Sequence, residues 1–310
     1  MTMPVGILKI TFIMKISKKI VSVILSAALM TPLMSCANEP AKREDDGVFN
    51  IVTSFYPMQI LVMNVAGGID GVTVECMSDP NIGCIHDHVF TTDDLRKVEN
   101  ADVYVENGLE LETFNDQLLN AYPDLTIIEA ASEVTDAPED EGEVNGHVWT
   151  SIDDYIIEIR TVSAALSEAD PSHAADYEAN AEAYIGKVEQ LRSEYEDQIA
   201  AVEGMSVLVI DETLPSFCEW LGLDYKVVET DHEQSALSAG DIADTIDWMN
   251  ENGVTVIFVS ADSDAGIADS IAAEIGGSIF EFGTCMTGEV YADAYLDQMG
   301  NNLELLQYLG

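Results

Sequence analysis

YEANAEAYIGKVEQLRSEYEDQI, residues 177–199, carries apolar side chains at Tyr177, Ala181, Tyr184, Val188, Leu191, Tyr195 and Ile199. Steps of four and three residues set them on one stripe of an α-helix, with charged groups over the remaining surface. A helix of roughly 30 residues is about 45 Å long, enough to join two halves of a molecule as a rigid strut. Just upstream, Asp170-Pro171 ends one helix and opens the next. Before that break Ile152, Tyr155, Ile156, Ile159, Val162 and Leu166 recur at helical spacing. A helical segment over residues 151–201 is expected.

Outward from this segment the pattern changes. On the N-terminal side, residues 49–53, 72–74, 102–105 and 125–128 read as strands, with helical stretches between them. On the C-terminal side, strands at 207–210, 225–228, 255–259 and 278–280 alternate with helices, and a last helix covers about 292–309. This alternation predicts an α/β fold of two lobes, 48–150 and 202–310, each a parallel sheet covered by helices. Ligands of such sheets bind beyond the carboxyl ends of the strands. No internal sequence repeat is evident, and the one low-complexity stretch, 136–143, is acidic and contains Pro and Gly.

The chain has 310 residues, with 12 Lys+Arg against 57 Asp+Glu and a formal charge of −45. Such a surface repels nucleic-acid phosphates and draws cations, so a nucleic-acid partner is not expected. At the N-terminus Lys15, Lys18 and Lys19 precede an apolar run over 20–33 and then Leu33-Met34-Ser35-Cys36. The run is shorter than the roughly 20 residues a membrane-spanning helix needs. It reads as a secretory signal, and its end resembles a bacterial lipobox cleaved before Cys36, whose sulfur takes the lipid. Residues 1–35 are then a lipoprotein signal peptide and 36–47 a flexible tether. The mature protein is expected on the outer face of the bacterial cell membrane. Export permits disulfides, and Cys76, Cys84, Cys218 and Cys285 allow three full pairings, among which the sequence does not choose.

Two histidines, His86 and His88, lie in Gly83-Cys84-Ile85-His86-Asp87-His88, just beyond the second strand. His147 precedes Val148-Trp149 at the start of the first long helix, and Asp211 follows the strand 207–210. Each stands where an α/β lobe presents ligands, and imidazole with carboxylate suits zinc, manganese or iron(II). No local motif such as His-Glu-x-x-His is present. His173, at a helix start, and His232, in a charged loop, read as solvated.

Several segments together resemble the zinc and manganese substrate-binding lipoproteins of ATP-driven importers. They are Thr53-Ser54-Phe55-Tyr56-Pro57, Gly83-Cys84-Ile85-His86-Asp87, Ala101-Asp102-Val103-Tyr104-Val105-Glu106-Asn107-Gly108, His147-Val148-Trp149, Asp170-Pro171 and Tyr295-Leu296-Asp297-Gln298-Met299. The resemblance implies two α/β lobes joined by one long helix, with metal held in the cleft between them. It makes His86 and His147 ligands and places Asp211 where the family carries His or Glu. Gly283 stands where the family has a fourth, Asp ligand, so water, Glu281 or His232 is left to complete the site. The resemblance implies Zn2+, or alternatively Mn2+, as transported ligand, and an ATP-binding-cassette permease with its ATPase as partners. Two other classes remain at this point. One is a diverged surface adhesion or scaffold lipoprotein with weak metal binding, because Gly283 offers no side chain. The other is a metal-dependent enzyme, which is less favoured because no general base sits at a convincing spacing.

The lipid anchor has a direct test. Cys36→Ala is expected to release the protein from membranes into the soluble fraction, since acyl chains supply the hold. A mutant that still sediments with membranes after a high-salt wash is evidence against the lipobox.

Overall fold

The structure, a computed structural model, describes residues 47–140, 143–228, 238–262 and 266–309. The signal segment, Cys36, nearly all of the tether and His232 lie outside the described residues.

Strands β1 (Phe49–Thr53), β2 (Val72–Cys76), β3 (Val103–Glu106) and β4 (Thr126–Glu129) form one sheet in the order β2-β1-β3-β4. All its pairs are parallel. The acidic stretch that follows makes a small antiparallel hairpin of β5 (Glu139–Asp140) and β6 (Glu143–Val144). A second parallel sheet holds β7 (Ser206–Ile210), β8 (Asp224–Val227), β9 (Val256–Ser260) and β10 (Ser278–Phe282) in the order β10-β9-β7-β8. The two orders are the same: in each lobe the first strand lies between the second and the third. Each sheet therefore has its topological switch between its first and third strands, where the chain leaves the sheet in opposite directions.

Helices cover the sheets. In the first lobe they are α1 (Tyr56–Ala66), α2 (Thr92–Val98) and α3 (Asn115–Ala121). Thr91 starts α2 through a capping box with Asp94. The linking segment is α4 (Ile152–Ala169), α5 (Ala174–Glu194) and α6 (Glu196–Val202). The single long helix expected from the 177–199 stripe is thus interrupted. Tyr195 sits at φ −113°, ψ 16°, outside helical geometry. Its N–H turns back to the Arg192 carbonyl at 3.3 Å, three residues away instead of four. The second lobe adds α7 (Pro215–Trp220), α8 (Ala239–Asn252), α9 (Gly266–Ile275) and α10 (Ala294–Leu305). Among the described residues no helix is long and apolar enough to cross a membrane.

Strand β7 shows why its sequence is continuously apolar. Val207 and Val209 face the core shared with the linking helices, whereas Leu208 and Ile210 face a separate cluster with Met249, Ile257, Val259 and Ile271. A parallel sheet with helices on both faces buries both sets of side chains.

The larger core does not stop at the lobe boundary. It runs from Ile51 and Val105 of the first sheet, through Trp149, Tyr155 and Tyr184, to Phe217, Phe258 and Phe282 of the second. Trp149 is fully buried. Its ring meets Phe55 edge-on at 5.3 Å between centroids, and its Nε1 donates to the Thr284 carbonyl at 2.9 Å. Tyr295 donates to the Trp149 carbonyl at 3.1 Å and stacks on Tyr155 at 3.8 Å. Tyr56 donates to the Glu289 carbonyl at 3.0 Å, and Asn64 to that of Ala292 at 2.7 Å. The lobes are therefore joined by apolar packing and by side chains of one lobe bonded to the backbone of the other.

Trp149→Phe is expected to lower stability by about 1–3 kcal/mol, because the buried Thr284 carbonyl loses its indole donor. Trp149→Ala is expected to cost about 3–5 kcal/mol. Urea titration should show a lower midpoint with an unchanged slope; a wild-type midpoint in both variants would count against this role.

Candidate metal centre

Three segments converge beyond the carboxyl ends of the strands. After β2 the chain turns at Gly83, which has φ +79°, and Cys84 leads into a short 3-10 turn over Ile85–Asp87. After the β5–β6 hairpin comes His147, at the head of a second 3-10 turn, Val148–Thr150. After β7 comes Glu212. One ligand atom from each of Cys84, His86, His147 and Glu212 falls within 4.8 Å of every other. Cys84 Sγ stands 2.8 Å from His86 Nδ1 and 3.0 Å from His147 Nε2. Glu212 Oε1 stands 3.5 Å from His86 Nε2 and 4.0 Å from His147 Nε2. The His147 side chain is 5% exposed, against 27% for His86 and 23% for Glu212, so the group opens to solvent on the His86–Glu212 side. Burial pushes the Cys84 thiol well above its usual range, and the nearby Glu212 and Asp87 carboxylates add to that.

Asn145 ties this group together. Its Oδ1 lies 2.9 Å from His147 Nδ1 and accepts the His147 backbone N–H at 3.0 Å, while its Nδ2 donates to the Glu212 carbonyl at 2.7 Å. With the amide oriented by both neighbours, His147 carries its proton on Nδ1 and turns the Nε2 lone pair toward the other three groups. Gly146 matters for close approach, because a Cβ there would meet Leu111 Cβ and Cδ1 at 3.3 Å. Asn107 holds the same strand of chain from below, donating to the Gly146 carbonyl at 2.9 Å.

Two carboxyls lie under that contact. Glu112 accepts from Ser54 Oγ at 2.8 Å and from the backbone N–H groups of Asn107 and Gly108 at 2.9 and 3.1 Å. Glu106 accepts from Asn115 Nδ2 at 2.9 Å. Burial raises the pKa of both, and in Glu106 repulsion from Glu112 adds to it.

Of the residues named from the sequence, His86 and His147 are brought together. Asp211 is not in the group. Its Oδ1 accepts the Thr213 backbone N–H at 2.8 Å and the Thr213 hydroxyl, an Asx-type turn that ends β7 and projects the next residue, Glu212, into the cleft. Gly283 has no positive φ, and a Cβ there would meet only Asn302 Oδ1 at 3.5 Å and Gln298 Oε1 at 3.7 Å, both on α10. Asn302 also brackets its backbone, accepting from Gly283 N–H at 2.8 Å and donating to its carbonyl at 2.7 Å. Glu281 is exposed on β10, between Phe280 and Phe282, which pack on the large core, so it lies on the opposite face of the sheet. His88 packs edge-on against Phe114 and pairs with Asp94 at 3.0 Å, and His173 pairs with Asp170 at 2.6 Å. Cys76, Cys84, Cys218 and Cys285 are free thiols. Cys84 and Glu212 are the members of the group that reading the sequence missed. The Cys-x-His spacing of Cys84 and His86 was the available signal for the first.

A family model described as zinc-uptake complex component A, periplasmic, matches residues 51–308. The iron-binding protein YfeA of Yersinia pestis is 28% identical over 261 residues, covering 81% of this chain and 80% of that protein. The manganese-binding lipoprotein MntA of Halalkalibacterium halodurans is 26% identical over 285 residues, covering 87% and 91%. Among solved structures, the solute-binding protein FpvC of Pseudomonas aeruginosa in complex with Mn2+ superposes with a TM-score of 0.76 at 24% identity, covering 85% of this chain and 100% of that one. That likeness is one of fold.

The Glu106–Glu112 pair sets a pH dependence for the scaffold under His147. The folded state holds a proton that the unfolded chain has released, so this contribution is present below the ordinary carboxylate range and is lost as pH rises through the elevated folded values. Glu106→Gln is expected to flatten the fall in stability with rising pH, by up to about 1.4 kcal/mol per pH unit. Urea midpoints measured across a pH series should show it, and parallel curves for mutant and wild type would contradict the assignment.

Proposed function

Because this chain belongs to the zinc-uptake complex component A family, we propose that it captures a divalent transition metal outside the cytoplasm and hands it to an ATP-binding-cassette importer. Zinc is the first candidate for the cargo and manganese the second. His86, His147 and Glu212 are the proposed ligands, with Glu212 in the role that the sequence had suggested for Asp211. The observation that carries this reading is the meeting of two imidazoles from one lobe and a carboxylate from the other at a single point in the cleft.

Two imidazoles and a carboxylate also hold catalytic zinc and iron(II), so the donor set by itself does not choose between capture and catalysis. The family match is what favours capture and release. The partner is a membrane permease with its ATPase, and the protein is held at the outer face of the membrane by the lipid on Cys36. The dense negative charge of the chain concentrates cations near the cleft without choosing among them.

Elemental analysis of protein purified without added metal, followed by titration with zinc and manganese, tests the reading. Metal that binds only the folded state stabilises it by about 2.7 kcal/mol at a hundredfold excess over Kd. His86→Ala and His147→Ala are each expected to remove most of the metal-induced rise in Tm, and His173→Ala to keep it. Equal rises in the wild type and in both ligand variants would sink the site.

A further inference from the structure

The names of relatives point to iron, manganese and zinc in turn, and two imidazoles with one carboxylate do not separate these metals. The fourth member of the group does. We propose that Cys84 binds the cargo ion as a thiolate and thereby sets the site for a borderline-soft dication, zinc above all, over manganese. This rests on the metal-capture reading and deepens it.

Geometry is the first argument. Two donors about 2.3 and 2.0 Å from one tetrahedral ion stand roughly 3.5 Å apart. One donor atom from each of the four groups lies within 4.8 Å of every other. About His147 Nε2 the sulfur and the carboxylate oxygen stand at 3.0 and 4.0 Å, on either side of that value. His86 offers one ring nitrogen, either Nδ1 at 2.8 Å from the sulfur or Nε2 at 3.5 Å from the carboxylate. Two imidazoles from separate segments converge on one sulfur, and the Asn145 contact leaves His147 Nε2 as a lone-pair donor on that side.

Charge is the second argument. Cys84 is 8% exposed and His147 4%, so a net charge at this point is poorly solvated. A dication with two neutral imidazoles, one thiolate and one carboxylate sums to zero. Binding breaks the S–H bond and forms the S–metal bond, and the thiol proton leaves to water with no change of oxidation state. Thiolate favours zinc and cobalt(II), whereas manganese favours oxygen donors. Gly283 then has no ligand to supply, because the fourth place is filled from the opposite lobe. The competing arrangement is a neutral thiol hydrogen-bonded between the two rings, with the metal held by the other three groups.

Cobalt(II) distinguishes the two in the unmutated protein. One equivalent of bound cobalt should show the near-ultraviolet thiolate-to-metal charge-transfer band together with strong visible bands of a tetrahedral centre. Cys84→Ser should abolish the charge-transfer band. It should weaken zinc binding at least about tenfold and leave manganese binding nearly unchanged, so that the zinc-to-manganese preference narrows by the same factor. Cobalt bound with dependence on His86 and His147 but without the band overturns the thiolate proposal and leaves metal capture standing. An unchanged zinc-to-manganese ratio in Cys84→Ser does the same. Absence of any zinc, cobalt or manganese binding overturns both.

Discussion

Trp149 donates its indole N–H to the Thr284 carbonyl of the second lobe while its ring lies edge-on to Phe55 of the first and to His147, 5.3 Å away in each case. That contact connects the fold to the site. The residue two before it is a member of the donor group, and the residue after it, Thr150, donates to the carbonyl of Thr213 at 3.3 Å, next to Glu212. A buried aromatic ring with its polar atom satisfied has little freedom to shift. The histidine ahead of it is therefore placed relative to the opposite lobe by packing, and Asn145 then sets the orientation of its ring.

The architecture was largely legible because parallel strands and amphipathic helices write their periods into the sequence. Both sheets and the linking segment fall where apolar runs and helical stripes place them. The interruption at Tyr195 was not legible, since its side chain keeps the helical stripe while its backbone departs from it. The site divided along a similar line. His86 and His147 stand out as rare residue types beyond strand ends. Asp211 and Glu212 are adjacent acids, and only the turn geometry shows that the first bonds to Thr213 and the second faces the histidines. Cys84 was hidden by the reading of residues 1–35 as an export signal, because a cysteine in a chain so read invites a disulfide assignment. Gly283 was read from resemblance as a gap in the ligand set. Its surroundings on α10 show a backbone held by Asn302.

Charge works on two scales in this protein. The acidic surface acts at a distance and is damped by salt within about 10 Å. Inside, burial pushes the pKa of carboxyls up, as at Glu106 and Glu158. The donor group stands between these regimes, with Cys84 and His147 buried and His86 and Glu212 partly open to water. In the proposed site an ion arriving from solvent would meet the partly exposed pair first and the buried pair second.

The continuous core has a mechanical corollary. A jaw that swings wide must part its two halves along a seam, and here the seam is filled with Trp149, Tyr155, Tyr184 and Tyr295. Exposing such surface costs about 25 cal/mol for each Å2 of apolar area. His147 is tied to that seam by Trp149, whereas Cys84 and His86 sit at a short 3-10 turn in which Ile85 is the buried residue. The compliant part of this molecule is thus one fingertip and not the wrist. Unloading an ion from it is a task for whatever can pry one loop, the turn after β2, while the frame behind it stays still.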